Sequence, residues 1–147
     1  MRKLFGLLFF GLLISCHLDN KTYASELVEI KKNKGNYEIT LSTNADLKSI
    51  QEKYRFPDQR VIGHIKTQSF KEQKVRIKGI FDSKNAKKIG DSYSYQSTVK
   101  ILPQDSNKQL SEVLTPQDTL EVFLQLGFPD GRTYPTKSVL IPASEIL

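Results

Sequence analysis

Strict alternation of apolar and polar residues leaves this chain little choice of backbone. Tyr37, Ile39 and Leu41 alternate with Glu38, Thr40 and Ser42. Val75, Ile77, Gly79 and Phe81 alternate with Arg76, Lys78 and Ile80, which predicts a strand with a basic outer face. Tyr93, Tyr95, Val99 and Ile101 share parity between Tyr93 and Leu102, and Leu120, Val122, Leu124 and Leu126 repeat the pattern. A period of two puts alternate side chains on opposite faces of a strand, so each segment reads as half-buried β structure. Leu27 to Ile30 and the apolar group Val61, Ile62 and Ile65 add two shorter strands.

The turns agree with that reading. Residues 31–36 form a turn-rich gap in which Gly35 supplies the positive φ of a tight hairpin. Pro129-Asp130-Gly131 predicts a second tight turn, with Thr133 to Ile141 returning as its partner strand. Pro135 has no N–H to donate, so this strand lies at an edge or begins after the proline. Asn44 is a candidate cap for a short helix carrying Leu47, Ile50 and Tyr54 on one side, which Phe56-Pro57-Asp58 ends. One further helical turn is expected within Lys108 to Leu114. The sum is about seven strands with one or two short helices. It predicts a small antiparallel β-sandwich, immunoglobulin-like or transthyretin-like, with a curved sheet or partial barrel as the alternative.

The N-terminus follows other rules. Arg2 and Lys3 precede an apolar run from Leu4 to Ile14, closed by Ser15 and by Cys16, the only cysteine. A helix of that length spans about 16 Å, against about 30 Å of bilayer core, so the run suits export but not a membrane span. Leu13-Ile14-Ser15-Cys16 resembles the lipobox of bacterial lipoproteins at all of its positions. The resemblance implies that residues 1–15 are a signal peptide cut before Cys16, and that Cys16 carries diacylglycerol on sulfur and often an acyl group on its amine. Two or more chains anchor stably where one does not. Residues 16–25 then form the lipidated cysteine and a polar tether, and residues 26–147 a single β-rich domain. His17, rather than aspartate, after the cysteine implies outer-membrane sorting, facing the periplasm. The outer face of the cytoplasmic membrane is the alternative. Cleavage after Ala24, with Thr22 and Ala24 as the small residues, would instead give a secreted protein, and an uncleaved anchor is the third reading.

Charge and composition narrow the function. Residues 21–90 carry 16 basic and 8 acidic side chains, and residues 91–147 carry 4 and 7. Such asymmetry suits an anionic partner, such as lipid head groups, wall polymers or an acidic protein, or a simple Lys-rich solvated surface. Nucleic acid does not fit an exported protein. With one cysteine, no intramolecular disulfide is available. The histidines, His17 and His64, lack the ligand spacing of a zinc site, and no metal or cofactor is expected. There is no phosphate loop and no Gly-x-Ser-x-Gly elbow. His64 is the one plausible imidazole base, and carboxylate pairs such as Asp118 with Glu121 could do acid/base work. Both read more simply as structural or solvated side chains.

Tyr93 and Tyr95 form either core or an outward aromatic strip. Phe128, Arg132 and Tyr134, around the Pro-Asp-Gly turn, are candidate partner contacts. The expectation is a non-enzymatic, lipid-anchored envelope protein that binds a partner as an accessory to a secretion, conjugation or surface-assembly machine. A membrane-tethered inhibitor or immunity protein and an anionic polymer- or lipid-binding module are the alternatives.

Overall fold

The computed structural model describes residues 24–54, 58–69 and 71–147. The signal-like segment, Cys16, most of the tether, and the Phe56-Pro57 stop of the first helix lie outside the described residues. The architecture is mainly antiparallel β with two short helices, as the alternation predicts. Its elements are β1 (Ser25–Asn33), β2 (Asn36–Thr43), α1 (Leu47–Tyr54), β3 (Asp58–Ile65), β4 (Val75–Phe81), β5 (Lys87–Ile89), β6 (Ser92–Pro103), α2 (Leu110–Val113), β7 (Thr119–Gly127), β8 (Thr133–Pro135) and β9 (Val139–Pro142). All nine strands belong to one hydrogen-bonded sheet in the order β1-β2-β6-β4-β3-β7-β8, with β5 on β6 and β9 on β7. The sheet rolls until β1 lies beside β9. The result is a nearly closed form between sandwich and barrel. The Tyr37 hydroxyl helps close it by donating to the Ile146 carbonyl at 3.0 Å.

The inner faces are those that alternation marks out. Ile39 and Leu41 of β2, Val61 and Ile65 of β3, Val99 of β6, and Leu120, Val122, Leu124 and Leu126 of β7 are almost wholly buried. Tyr95 joins them: its ring meets Phe81 edge-on with centroids 5.8 Å apart. Its hydroxyl accepts from the Leu47 N–H at 2.9 Å and donates to the Ala45 carbonyl at 3.0 Å. Burial pushes the Tyr95 phenol up to about 12. One side chain therefore ties α1 to the sheet, and the outward aromatic strip is not formed by Tyr95.

Local details differ from expectation for physical reasons. Asp46, not Asn44, caps α1: it accepts from the Ser49 N–H at 3.0 Å and from the Ser49 hydroxyl at 2.8 Å. A cap must immediately precede the first helical turn to reach its free amides, and Asn44 sits too early. The gap at 31–36 shrinks to Lys34 and Gly35, both left-handed with φ of 45° and 83°, so β1 runs on to Asn33. Two successive positive φ values give the hairpin turn whose twist matches its strands. Between β4 and β6, the alternation marks no strand, yet β5 pairs with Ser92 to Ser94. It is too short and too polar to show a period. The expected strand Thr133 to Ile141 is split into β8 and β9, because Pro135 cannot continue the ladder. Thr136 fills the break: its N–H donates to the Leu124 carbonyl at 2.9 Å, and its Oγ1 accepts from the Leu124 N–H at 3.1 Å.

Candidate binding groove and a histidine–carboxylate cluster

The basic outer face of β4 forms one wall of a groove. Lys78 of β4 stands directly opposite Lys100 of β6, and Ile80 stands between Thr98 and Arg60 across the sheet. With Ile62 and Ile77 these side chains line a groove of about 560 Å³. Ile80 is 71% exposed, although it sits in the middle of a sheet face. The groove follows the seam between β3 and β4, where only two registered pairs form, Arg60 with Ile80 and Val61 with Gly79. Close approach explains Gly79. A Cβ there would lie 2.8 Å from Val99 Cγ2 and 3.1 Å from Val61 Cβ. Beyond those pairs the Gln73 amide serves β3 in place of a strand. It accepts from the Ile65 N–H at 2.8 Å and donates to the Ile65 and Gln68 carbonyls at 3.3 and 2.9 Å.

The electrostatics of the groove are one-sided. Arg60 is paired with Asp58 at 2.5 Å. Neither Lys78 nor Lys100 has a carboxylate within 4 Å among the described residues. Like charges placed directly opposite on neighbouring strands weaken a sheet. The paired lysines are therefore a local cost that the fold itself does not repay.

His64 lies farther along β3, in a second cleft of about 270 Å³ with Phe123, Pro135 and Thr136. Its Nε2 is 3.0 Å from Glu121 Oε2, with the two side chains 17% and 27% exposed. Ser138 Oγ donates to the other carboxylate oxygen at 2.7 Å. The carboxylate thus stands between hydroxyl and imidazole. A serine relay needs the imidazole in the middle, where it can take the hydroxyl proton and be held by the carboxylate. The cluster instead ties β3, β7 and the approach to β9 together. Asp118, the other half of the carboxylate pair, accepts from the Thr115 N–H at 2.7 Å and its hydroxyl at 3.0 Å, closing a turn. Among the described residues no three His, Cys, Asp or Glu side chains gather as metal ligands.

The tip around Pro129-Asp130-Gly131 departs from an exposed aromatic contact. Gly131 is left-handed at φ 84°, and its N–H donates to the Phe128 carbonyl at 2.9 Å. This turn folds Phe128 inward, leaving it 8% exposed. Its ring packs edge-on against half-buried Tyr134 at 5.3 Å. The aromatic surfaces of this pair are spent largely on each other and the core. Arg132 remains at the surface, bonded to Asp130 at 2.6 Å. That bond, opposed by little burial, holds the Asp130 carboxyl below its usual value. Tyr93 is half-buried, with Lys88 Nζ 5.6 Å above its ring.

Ile80 carried a signal that alternation alone displays, an apolar residue on a basic outward face. That Lys100 faces Lys78 depends on strand order and register, which no local pattern holds. Among the described residues no helix is long and apolar enough to cross a membrane. Comparison of the chain with protein-family models, with curated proteins and with solved structures finds no match.

Proposed function

We propose that this chain is a lipid-anchored protein of the bacterial cell envelope that works as a non-enzymatic binding module, accessory to a secretion, conjugation or surface-assembly machine. The anchor reading rests on Leu13-Ile14-Ser15-Cys16, with the outer membrane, facing the periplasm, as its place. The observation that carries the binding reading is the groove along the β3–β4 seam. It sets the exposed apolar side chain of Ile80 beside two lysines that have no carboxylate within 4 Å among the described residues. The site's chemistry points the same way. The only imidazole in a described cleft is engaged by Glu121, and Ser138 donates to that same carboxylate.

Two measurements test the proposal. Replacing Cys16 by serine is expected to move the protein from the membrane to the soluble fraction and to change its processing; unchanged partitioning and processing would overturn the anchor. A photo-crosslinking residue at position 80, in intact cells, is expected to trap one defined envelope protein, while the same residue at exposed Leu140 traps none. Equal trapping at both positions would overturn the groove as the contact. The paired lysines also support a second reading, adhesion to anionic wall polymer or lipid head groups. That reading requires binding to purified polymer that disappears at high salt.

A further inference from the structure

The β3–β4 groove has a specific kind of occupant, and this step rests on the binding-module reading above. We infer that it receives an extended acidic segment of a partner protein, with carboxylates on Lys78 and Lys100 and apolar side chains against Ile62 and Ile80. Charge complementarity is the first argument. Lys78 and Lys100 form a directly opposed cationic pair with no carboxylate within 4 Å among the described residues. A carboxylate seated between them converts a repulsive cross-strand pair into two attractive contacts. The third cation of the groove, Arg60, already has Asp58, so the unmet demand is local to the two lysines.

Shape is the second argument. The apolar residues and the two lysines line one open groove of about 560 Å³ at the β3–β4 seam. An extended chain lying in it can set apolar side chains against Ile62 and Ile80 and carboxylates against the two lysines.

Position is the third. Ser25, where the tether joins, is registered against Thr43, and Thr43 against Tyr93. Lys100 lies seven residues along β6 from Tyr93, about 23 Å at the rise of a strand. The groove therefore sits toward the far end of the strands from the attachment point. In a tethered protein that end is the one offered to partners in the aqueous space.

The test uses the full-length protein, processed and purified from membranes in neutral detergent. The probe is a fluorescent heptapeptide alternating Glu with Val, followed by anisotropy. Controls are the peptide with Gln for Glu and vesicles of phosphatidylglycerol. The acidic peptide is expected to bind and the Gln peptide to bind at least about tenfold more weakly. The double substitution Lys78→Glu with Lys100→Glu should weaken the acidic peptide by about tenfold or more, while Lys87→Glu with Lys88→Glu on β5 changes it little. The single substitution Lys78→Glu separates binding from folding. It creates an opposed Glu–Lys pair, so it should raise Tm while lowering peptide affinity.

No peptide binding, or equal losses from the β5 control, overturns the inference. Binding of phosphatidylglycerol vesicles through Lys78 and Lys100 in place of the peptide also overturns it, in favour of a lipid surface. If the peptide fails but crosslinking from position 80 still traps one envelope protein, this inference falls and the binding-module reading stands. If both fail, both fall.

Discussion

β3 has two edges, and they behave differently. Toward β7 it is registered residue by residue from Asp58 with Gly127 to Ile65 with Leu120. Toward β4 it is registered at two positions only. On the β7 side His64 and Ser138 both engage Glu121. On the β4 side the outward residues are exposed isoleucine and unpaired lysines. The two lysines oppose each other across the complete β4–β6 ladder, and the seam to β3 beside them, registered at two positions only, forms the rest of the groove.

The largest expected difference between the edges is in stability. Leu124→Ala, in the fully buried part of β7, should cost about 2–5 kcal/mol in urea denaturation. Ile80→Ser, on the groove, should stay within about 0.5 kcal/mol of the parent. A large loss from Ile80→Ser would make the seam a structural element rather than a surface. Gly79→Ala probes the close approach of β4 to β3 and β6. Its Cβ would press on Val99, Val61 and the Thr98 carbonyl, at a cost of about 1–3 kcal/mol measured the same way.

Gln73→Ala removes the amide that stands in for a strand at Ile65. It should cost about 1 kcal/mol and speed hydrogen exchange of the Ile65 amide. Lys78→Glu acts in the opposite direction. Replacing a repulsive cross-strand pair by an attractive one should add about 0.2–1 kcal/mol, an effect that shrinks as salt is raised. The smallest effect is that of acid. Burial favours protonated Asp46, but the Ser49 hydrogen bonds outweigh it and hold its carboxyl below the ordinary 3.8. Asp130 is likewise held down by Arg132. A carboxylate with a depressed folded pKa contributes its full stability above the unfolded value and loses it as pH falls through the folded one. Tm should therefore be level above about pH 5 and fall below pH 4, and Asp46→Asn should flatten part of that fall. Neither group lies in the groove, so the difference between the two edges of β3 should survive acid.

Much of the fold was legible because side-chain parity is local. Residues 37–41, 75–81, 93–101 and 120–126 announce both strand and inward face, and the burial of Tyr95, Val99 and Leu124 follows that parity. The Gly35 and Pro129-Asp130-Gly131 turns were legible because positive φ and a preset proline φ are properties of single residues. The Asp46 cap and β5 were not. A cap is chosen by where the helix starts, and a three-residue strand has no period to detect. Phe128 and Tyr134 have the chemistry of contact residues, but which way an aromatic turns depends on the loop that carries it.

The sequence by itself determined the long alternating strands, their inward faces, the Gly35 and Pro129-Asp130-Gly131 turns and the lipobox-like Leu13-Ile14-Ser15-Cys16, because each is written in neighbouring residues. Only the tertiary structure decided that β4 lies between β3 and β6, that its ladder to β3 is registered at two positions only, and that Lys78 faces Lys100 across its continuous ladder to β6. Those facts depend on which distant strands pair and in what register. Pairing is settled by burying all the inward faces at once, a condition on the whole chain that no single segment can express.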